Sequence, residues 1–154
     1  MARSPVPDVS ANSTLARHRD VIDECFAAPD VEGIVAALQG VAEGADAESA
    51  SAEFARETIE TLGSMSPTSL KITLEQVRRG VELDSLGECL QMEFRMCQRL
   101  MQDKKSDFYE GIRAVLVDRD GAPRWDPAAL GDVTPAKVQS YFDRLPEEEE
   151  LRFD

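Results

Sequence analysis

The sequence predicts an all-α protein of five to seven helices. Apolar residues recur at the 3.6-residue spacing of an amphipathic helix, and strand-like alternation hardly appears. Ser, Thr and Asp stand just ahead of several apolar runs, where helix caps belong. At Ser66-Pro67 and Thr134-Pro135 the cap is followed directly by proline, whose missing N–H is harmless at the first helical position.

In chain order, residues 1–14 are rich in Ser, Pro and Ala, lack an apolar stretch of signal-peptide type, and read as a disordered leader. Arg3, Arg17 and Arg19 lend this end a transit-peptide flavour, against which Asp8 and two prolines count. A short helix is expected from Ala16 to Phe26, ended by Pro29. Asp30 then caps a helix with Val31, Ile34, Val35 and Leu38 on one face. Gly40–Ser51 reads as a loop, and Ser51–Leu62 as a helix closed by Gly63.

The Ser66-Pro67 helix is expected to bury Leu70, Thr73, Leu74 and Val77, and to turn Lys71, Glu75, Arg78 and Arg79 outward. The longest helix, Ser85–Gln102 with Asp84 as its cap, carries Leu86, Cys89, Leu90, Glu93, Cys97, Leu100 and Met101 along one stripe, with Met92 and Phe94 off it. Ser106 opens a helix to Val117 with Phe108, Ile112, Val115 and Leu116 inward, broken at Asp120-Gly121. Arg119 to Asp132 is a Pro- and Gly-punctuated loop holding the single tryptophan, Trp125. The last helix, opened by Thr134, turns Val138, Tyr141 and Phe142 inward and ends before Pro146.

Composition excludes several functions. The net charge of −13 argues against nucleic-acid binding, which needs a basic face. The acidic run Glu147–Glu150 reads as a solvated tail. No stretch approaches the roughly 20 apolar residues of a membrane span. The three cysteines, Cys25, Cys89 and Cys97, read as reduced thiols, and the lone His18 has no ligand-spaced partner for a metal. GxSxG, GxGxxG and P-loop motifs are missing, as are paired glycines for an oxyanion hole, so no catalytic residue is expected in this chain. Glu93, on the apolar stripe, reads as a boundary carboxylate holding two helices in register, the alternative being a buried acid paired with Arg95 or Arg113. Glu110 and Arg113 read as an i,i+3 pair.

Two stretches carry a resemblance: Met65-Ser66-Pro67-Thr68-Ser69-Leu70-Lys71-Ile72-Thr73, and Asp107 through Asp118 followed by Pro123-Arg124-Trp125 and Pro127. Together with Leu90-Gln91-Met92-Glu93-Phe94-Arg95 and Leu151-Arg152-Phe153, they resemble the C-terminal part of 3-hydroxyisobutyryl-CoA hydrolases, a branch of the crotonase superfamily, over residues 15–153. The shorter run EGIRA marks the superfamily more broadly.

The resemblance implies the C-terminal helical part of a crotonase-like fold without its βα core. It implies hydrolysis of 3-hydroxyisobutyryl-CoA in valine breakdown, with the catalytic groups in an upstream core supplied in cis or in trans. It implies no separate cofactor, since coenzyme A belongs to the substrate. It points to mitochondria, with the cytoplasm as the alternative in the absence of a clear transit peptide. Pro67, Phe108 and Trp125 are then candidates for lining the acyl pocket, and Arg119 and Arg124 for meeting a CoA phosphate or adenine. Uncovered apolar faces are expected at Met92, Phe94, Met96 or Phe108, hidden by the core or by self-association. The alternative is a non-enzymatic helical interaction or scaffold module.

Overall fold

The computed structural model describes residues 13–44 and 46–153. The expected leader, residues 1–14, lies almost entirely outside the described residues. Among those described there are eight α-helices and no strand. The helices are α1 (Thr14–Arg17), α2 (Arg19–Cys25), α3 (Val31–Ala42), α4 (Ala50–Ser64), α5 (Pro67–Gly80), α6 (Leu86–Gln102), α7 (Asp107–Ile112) and α8 (Pro135–Ser140). A π-turn at Arg113–Val117 extends α7, and a 3-10 turn spans Leu130–Asp132. The count exceeds seven because the first expected helix is two, parted at His18, whose φ of −112° and ψ of 20° interrupt the helix. The chain divides into two compact units, through Ser64 and from Met65.

In the first unit α3 lies against α2 and α4. Asp30 caps α3 by accepting from the Gly33 N–H at 2.7 Å. Val31, Ile34, Leu38 and Ala42 are buried on α3, facing the small Ala52 and Ala55 of α4, with Val21 and Cys25 of α2 completing the core. The His18 ring stacks on Phe54 at 4.4 Å between centroids. Arg56 donates to the carbonyls of Ala42 and Ala47 at 3.2 and 3.0 Å, placing its charge at the C-terminus of α3. Two boundaries shift from expectation. The loop is shorter than Gly40–Ser51, since α3 runs to Ala42 and α4 starts at Ala50. Gly63 lies inside α4 instead of capping it.

The second unit is built on α5 and α6, with α8 against α5 and α7 against α6. Ser66 accepts from the Ser69 N–H at 3.0 Å and Thr134 from the Lys137 N–H at 3.1 Å, so both cap-proline starts form. Ile72, Met92, Met96, Tyr141 and Phe142 make the core, with Leu83, Leu100 and Val138 against it. The α6 cap is Ser85, one residue past the expected Asp84, in a reciprocal capping box with Glu88.

The buried faces depart from the expected ones in a consistent way. On α5 the buried side chains are Pro67, Thr68 and Ile72, while Thr73 is exposed and Val77 is 61% exposed. Lys71 and Arg79 turn toward the α8 segment. Lys71 reaches the Val133 carbonyl at 3.3 Å, and Arg79 lies 4.2 Å over the Phe142 ring while bonding Glu75 and Gln139. Long cationic side chains can bury their stems and keep their heads hydrogen-bonded.

On α6 the off-stripe methionines Met92 and Met96 are the buried ones, which corrects the expectation that they stay open. The stripe residues Leu86 and Met101 are exposed, as are Leu90, Glu93 and Cys97. Along α7 and the π-turn, Phe108, Val115 and Leu116, expected inward, are exposed, and Ala114 is buried in their place. The apolar periodicity is there. Among the described residues nothing covers it.

Candidate functional site

Asp107 ties together three segments of the second unit. It opens α7, is buried, and accepts from the Ser66 hydroxyl and from the Asp126 N–H, the latter at 3.0 Å. Ser66 in turn caps α5. One buried carboxyl thus joins the starts of two helices to the loop beyond Trp125. These are the stretches that carry the family resemblance, 41 and 19 residues apart in sequence.

The candidate lining residues sit beside this tie. Pro67 follows Ser66 and is buried at the first position of α5. Phe108 follows Asp107, is 42% exposed, and meets Tyr109 edge-on at 5.3 Å between centroids. Tyr109 donates its hydroxyl to the Met101 carbonyl at 2.9 Å. Trp125 precedes Asp126, is half-buried, and lies over Gly111, where a Cβ would stand 3.5 Å from the ring.

A second network holds the loop itself. Arg113 donates to both Glu110 oxygens at 2.8 and 2.9 Å, to Asp118 and Asp120 at 2.7 Å each, and to the Ala122 carbonyl at 3.1 Å. Its guanidinium is therefore spread over three carboxylates, a geometry a lysine cannot match. The Glu110–Arg113 pair expected from sequence is present within this larger cluster. Hydrogen bonds from Arg113 and from the Arg124 N–H hold the Glu110 carboxyl well below its usual range, at about 2. Asp120 is lowered for the same first reason, with the Ala122 N–H adding to it.

Arg124 is exposed, and its backbone N–H bonds Glu110 at 2.7 Å. Arg119 stands at the far end of the loop in a left-handed conformation with φ of 55°, its side chain donating to the Leu116 carbonyl at 3.4 Å. The tie therefore gathers Pro67, Phe108 and Trp125, Arg124 belongs to the second network through Glu110, and Arg119 lies outside the tie.

Sequence reasoning missed Asp107. A carboxylate at the first turn of a helix reads as a partner for the helix dipole, and its two bonding partners are distant in sequence. A hollow of about 170 Å³ adjoins the tie, lined among others by Thr68, Ser69, Lys105, Lys137 and Tyr141. Burial pushes the Tyr141 phenol up, with Asp103 and Asp107 adding to it.

Glu93 links α6 to α5, as expected of a boundary carboxylate, while in the acidic run Glu147–Glu149 stay exposed and only Glu150 departs from the expected solvated tail. Glu93 is exposed and accepts from Gln76 at 3.1 Å, bonding neither Arg95 nor Arg113. Arg95 instead pairs with Glu150 at 2.6 Å, with both side chains under one-fifth exposed, and Glu150 also accepts from the Leu145 N–H. Glu150 is thus a docked anchor of the C-terminal segment. Burial alone would raise its carboxyl, but Arg95 and the Leu145 N–H outweigh burial and hold it low. Among the described residues the cysteines are free thiols, and no group of three His, Cys, Asp or Glu side chains is arranged to hold a metal. Among the described residues no helix is long and apolar enough to cross a membrane.

Comparison with known proteins places this geometry. The enoyl-CoA hydratase/isomerase family profile matches residues 1–142, and the chain belongs to that family. Within it, the chain is 45% identical over 101 residues to a mitochondrial 3-hydroxyisobutyryl-CoA hydrolase of Dictyostelium discoideum, covering 66% of this chain and 26% of the relative. It is 40% identical over 137 residues to 3-hydroxyisobutyryl-CoA hydrolase 1 of Arabidopsis thaliana, covering 88% of this chain and 35% of the relative. A solved carnitinyl-CoA dehydratase from Mycobacterium thermoresistibile superposes with a TM-score of 0.73 at 37% identity, over 99% of this chain and 38% of that one. The chain therefore spans between about a quarter and about a third of the curated relatives it matches.

Proposed function

We propose that this chain is the helical C-terminal part of a 3-hydroxyisobutyryl-CoA hydrolase, an acyl-CoA thioester hydrolase of valine breakdown. The observation that carries the reading is 40–45% identity to proteins of that name. The likeness to a mitochondrial hydrolase of Dictyostelium discoideum supports a mitochondrial site of action. The dehydratase likeness shows that the fold alone does not choose the reaction.

In this reading a βα core, in cis or in trans, supplies the oxyanion donors and the acids that activate water. The helices of this chain cover the acyl pocket. Pro67, Phe108 and Trp125 line it, and Arg119 and Arg124 reach the nucleotide end of coenzyme A. Coenzyme A enters as part of the substrate.

The test measures thiol release from 3-hydroxyisobutyryl-CoA by the purified chain, alone and co-expressed with the upstream two-thirds of a relative. Alone, the chain stays at the buffer blank, since loss of even one oxyanion donor costs on the order of 10²–10³ in rate. With the core it turns over. Turnover by the chain alone, abolished by a point substitution in it, overturns the reading. A stable complex with the core that stays silent favours the interaction module instead.

A further inference from the structure

We propose that Asp107 is a positioning residue: its buried carboxyl, joined to the Ser66 hydroxyl and the Asp126 N–H, holds Phe108 and Trp125 as one acyl-CoA-facing surface against the buried start of α5 at Pro67. The inference rests on the hydrolase reading for the ligand, and on the geometry of the tie for the positioning.

Each candidate lining residue is the chain neighbor of one member of the tie. Pro67 follows Ser66, Phe108 follows Asp107, and Trp125 precedes Asp126. The tie joins the side chains of Ser66 and Asp107 to the backbone N–H of Asp126, so the carboxyl sets the spacing of the three segments that carry these side chains. Asp107 and Ser66 are 8% and 5% exposed, so water does not readily replace a lost partner. The Trp125 loop carries no helix between Val117 and Leu130. It is held near Trp125 by the Asp107–Asp126 bond and by the Glu110 bond to the Arg124 N–H. Gly111 leaves the space over which the indole lies. Removing the carboxyl cuts one of those two holds and frees the start of α5 from α7. Asparagine in its place keeps an acceptor for Asp126 and offers an amide to Ser66, so both links survive.

Trp125 is the sole tryptophan, which makes its fluorescence a reporter for this segment. Acrylamide quenching and, with the core co-expressed, coenzyme A titration are read on the native chain, Asp107→Ala, Asp107→Asn and Ser66→Ala, with helix content followed by circular dichroism. Asp107→Ala is expected to raise quenching about twofold at unchanged helix content, as a locally released segment would. It should weaken coenzyme A binding about tenfold, the equivalent of one lost buried hydrogen bond. Asp107→Asn should restore both, and Ser66→Ala, which cuts one link only, should fall between and serves if Asp107→Ala does not fold. Unchanged Trp125 quenching in both Asp107→Ala and Ser66→Ala overturns the proposal, as does coenzyme A binding that stays native while Trp125 is released. Failure to bind coenzyme A by the native chain co-expressed with the core counts against the hydrolase reading, and the positioning role is then decided by quenching alone.

Discussion

The two cap-proline starts look alike in sequence, and the structure predicts that they respond differently to alanine. Thr134 is exposed and makes one cap bond, to the Lys137 N–H. Thr134→Ala removes that bond and should cost about 1 kcal/mol, the usual loss for a side-chain cap. Ser66 makes the same bond to Ser69, and its hydroxyl also donates to buried Asp107. Ser66→Ala loses the cap and strands a buried acceptor, which adds about 1–3 kcal/mol, for a total of about 2–4 kcal/mol. Urea unfolding followed by Trp125 emission reports on the second unit for both variants, since both positions and the tryptophan lie in it. Ser66→Ala should lower the midpoint clearly more than Thr134→Ala at a similar slope. Equal losses, within about 0.5 kcal/mol, would refute the argument that the Ser66–Asp107 link is buried and unreplaced by water.

Two further outcomes follow from the same corner. The Glu110 carboxyl, held at about 2 by Arg113, contributes stability that is present above its unfolded value near 4.3 and is lost as pH falls toward about 2. Asp120 and Glu150, also lowered, act in the same direction. Thermal melts between pH 5 and pH 2 should therefore fall less steeply in Arg113→Gln than in the native chain, and parallel curves would count against the network. Gly111→Ala places a methyl 3.5 Å from the Trp125 ring, an ordinary contact, and should stabilise α7 by about 0.5–1 kcal/mol from reduced backbone entropy. Gly111→Leu should displace the indole and redden its emission, and a native spectrum there would mean the ring is not seated over Gly111.

The helical class, the caps at Asp30, Ser66 and Thr134 and the family were all legible in the sequence, because each rests on residues close together in the chain. A cap needs a side chain and an amide two or three positions on. A motif needs its own spacing. Which face of each helix is buried was not legible.

Periodicity marks Phe108, Val115 and Leu116 as one inward apolar stripe. Only the fold shows that Ala114 is the residue turned in while the stripe stays open. On α6 the same ambiguity chose the wrong stripe, because a helix apolar on two sides offers two solutions and the positions of its neighbors decide between them.

The carboxylates show the limit most clearly. Glu93, Asp107 and Glu150 are chemically alike and equally plain in the sequence. Tertiary structure leaves the first in solvent, joins the second to partners 41 and 19 residues away, and pairs the third with an arginine 55 residues away. Sequence supplied the charge. The dielectric around it and the partner that meets it are properties of chain segments brought together, and only folding decides them.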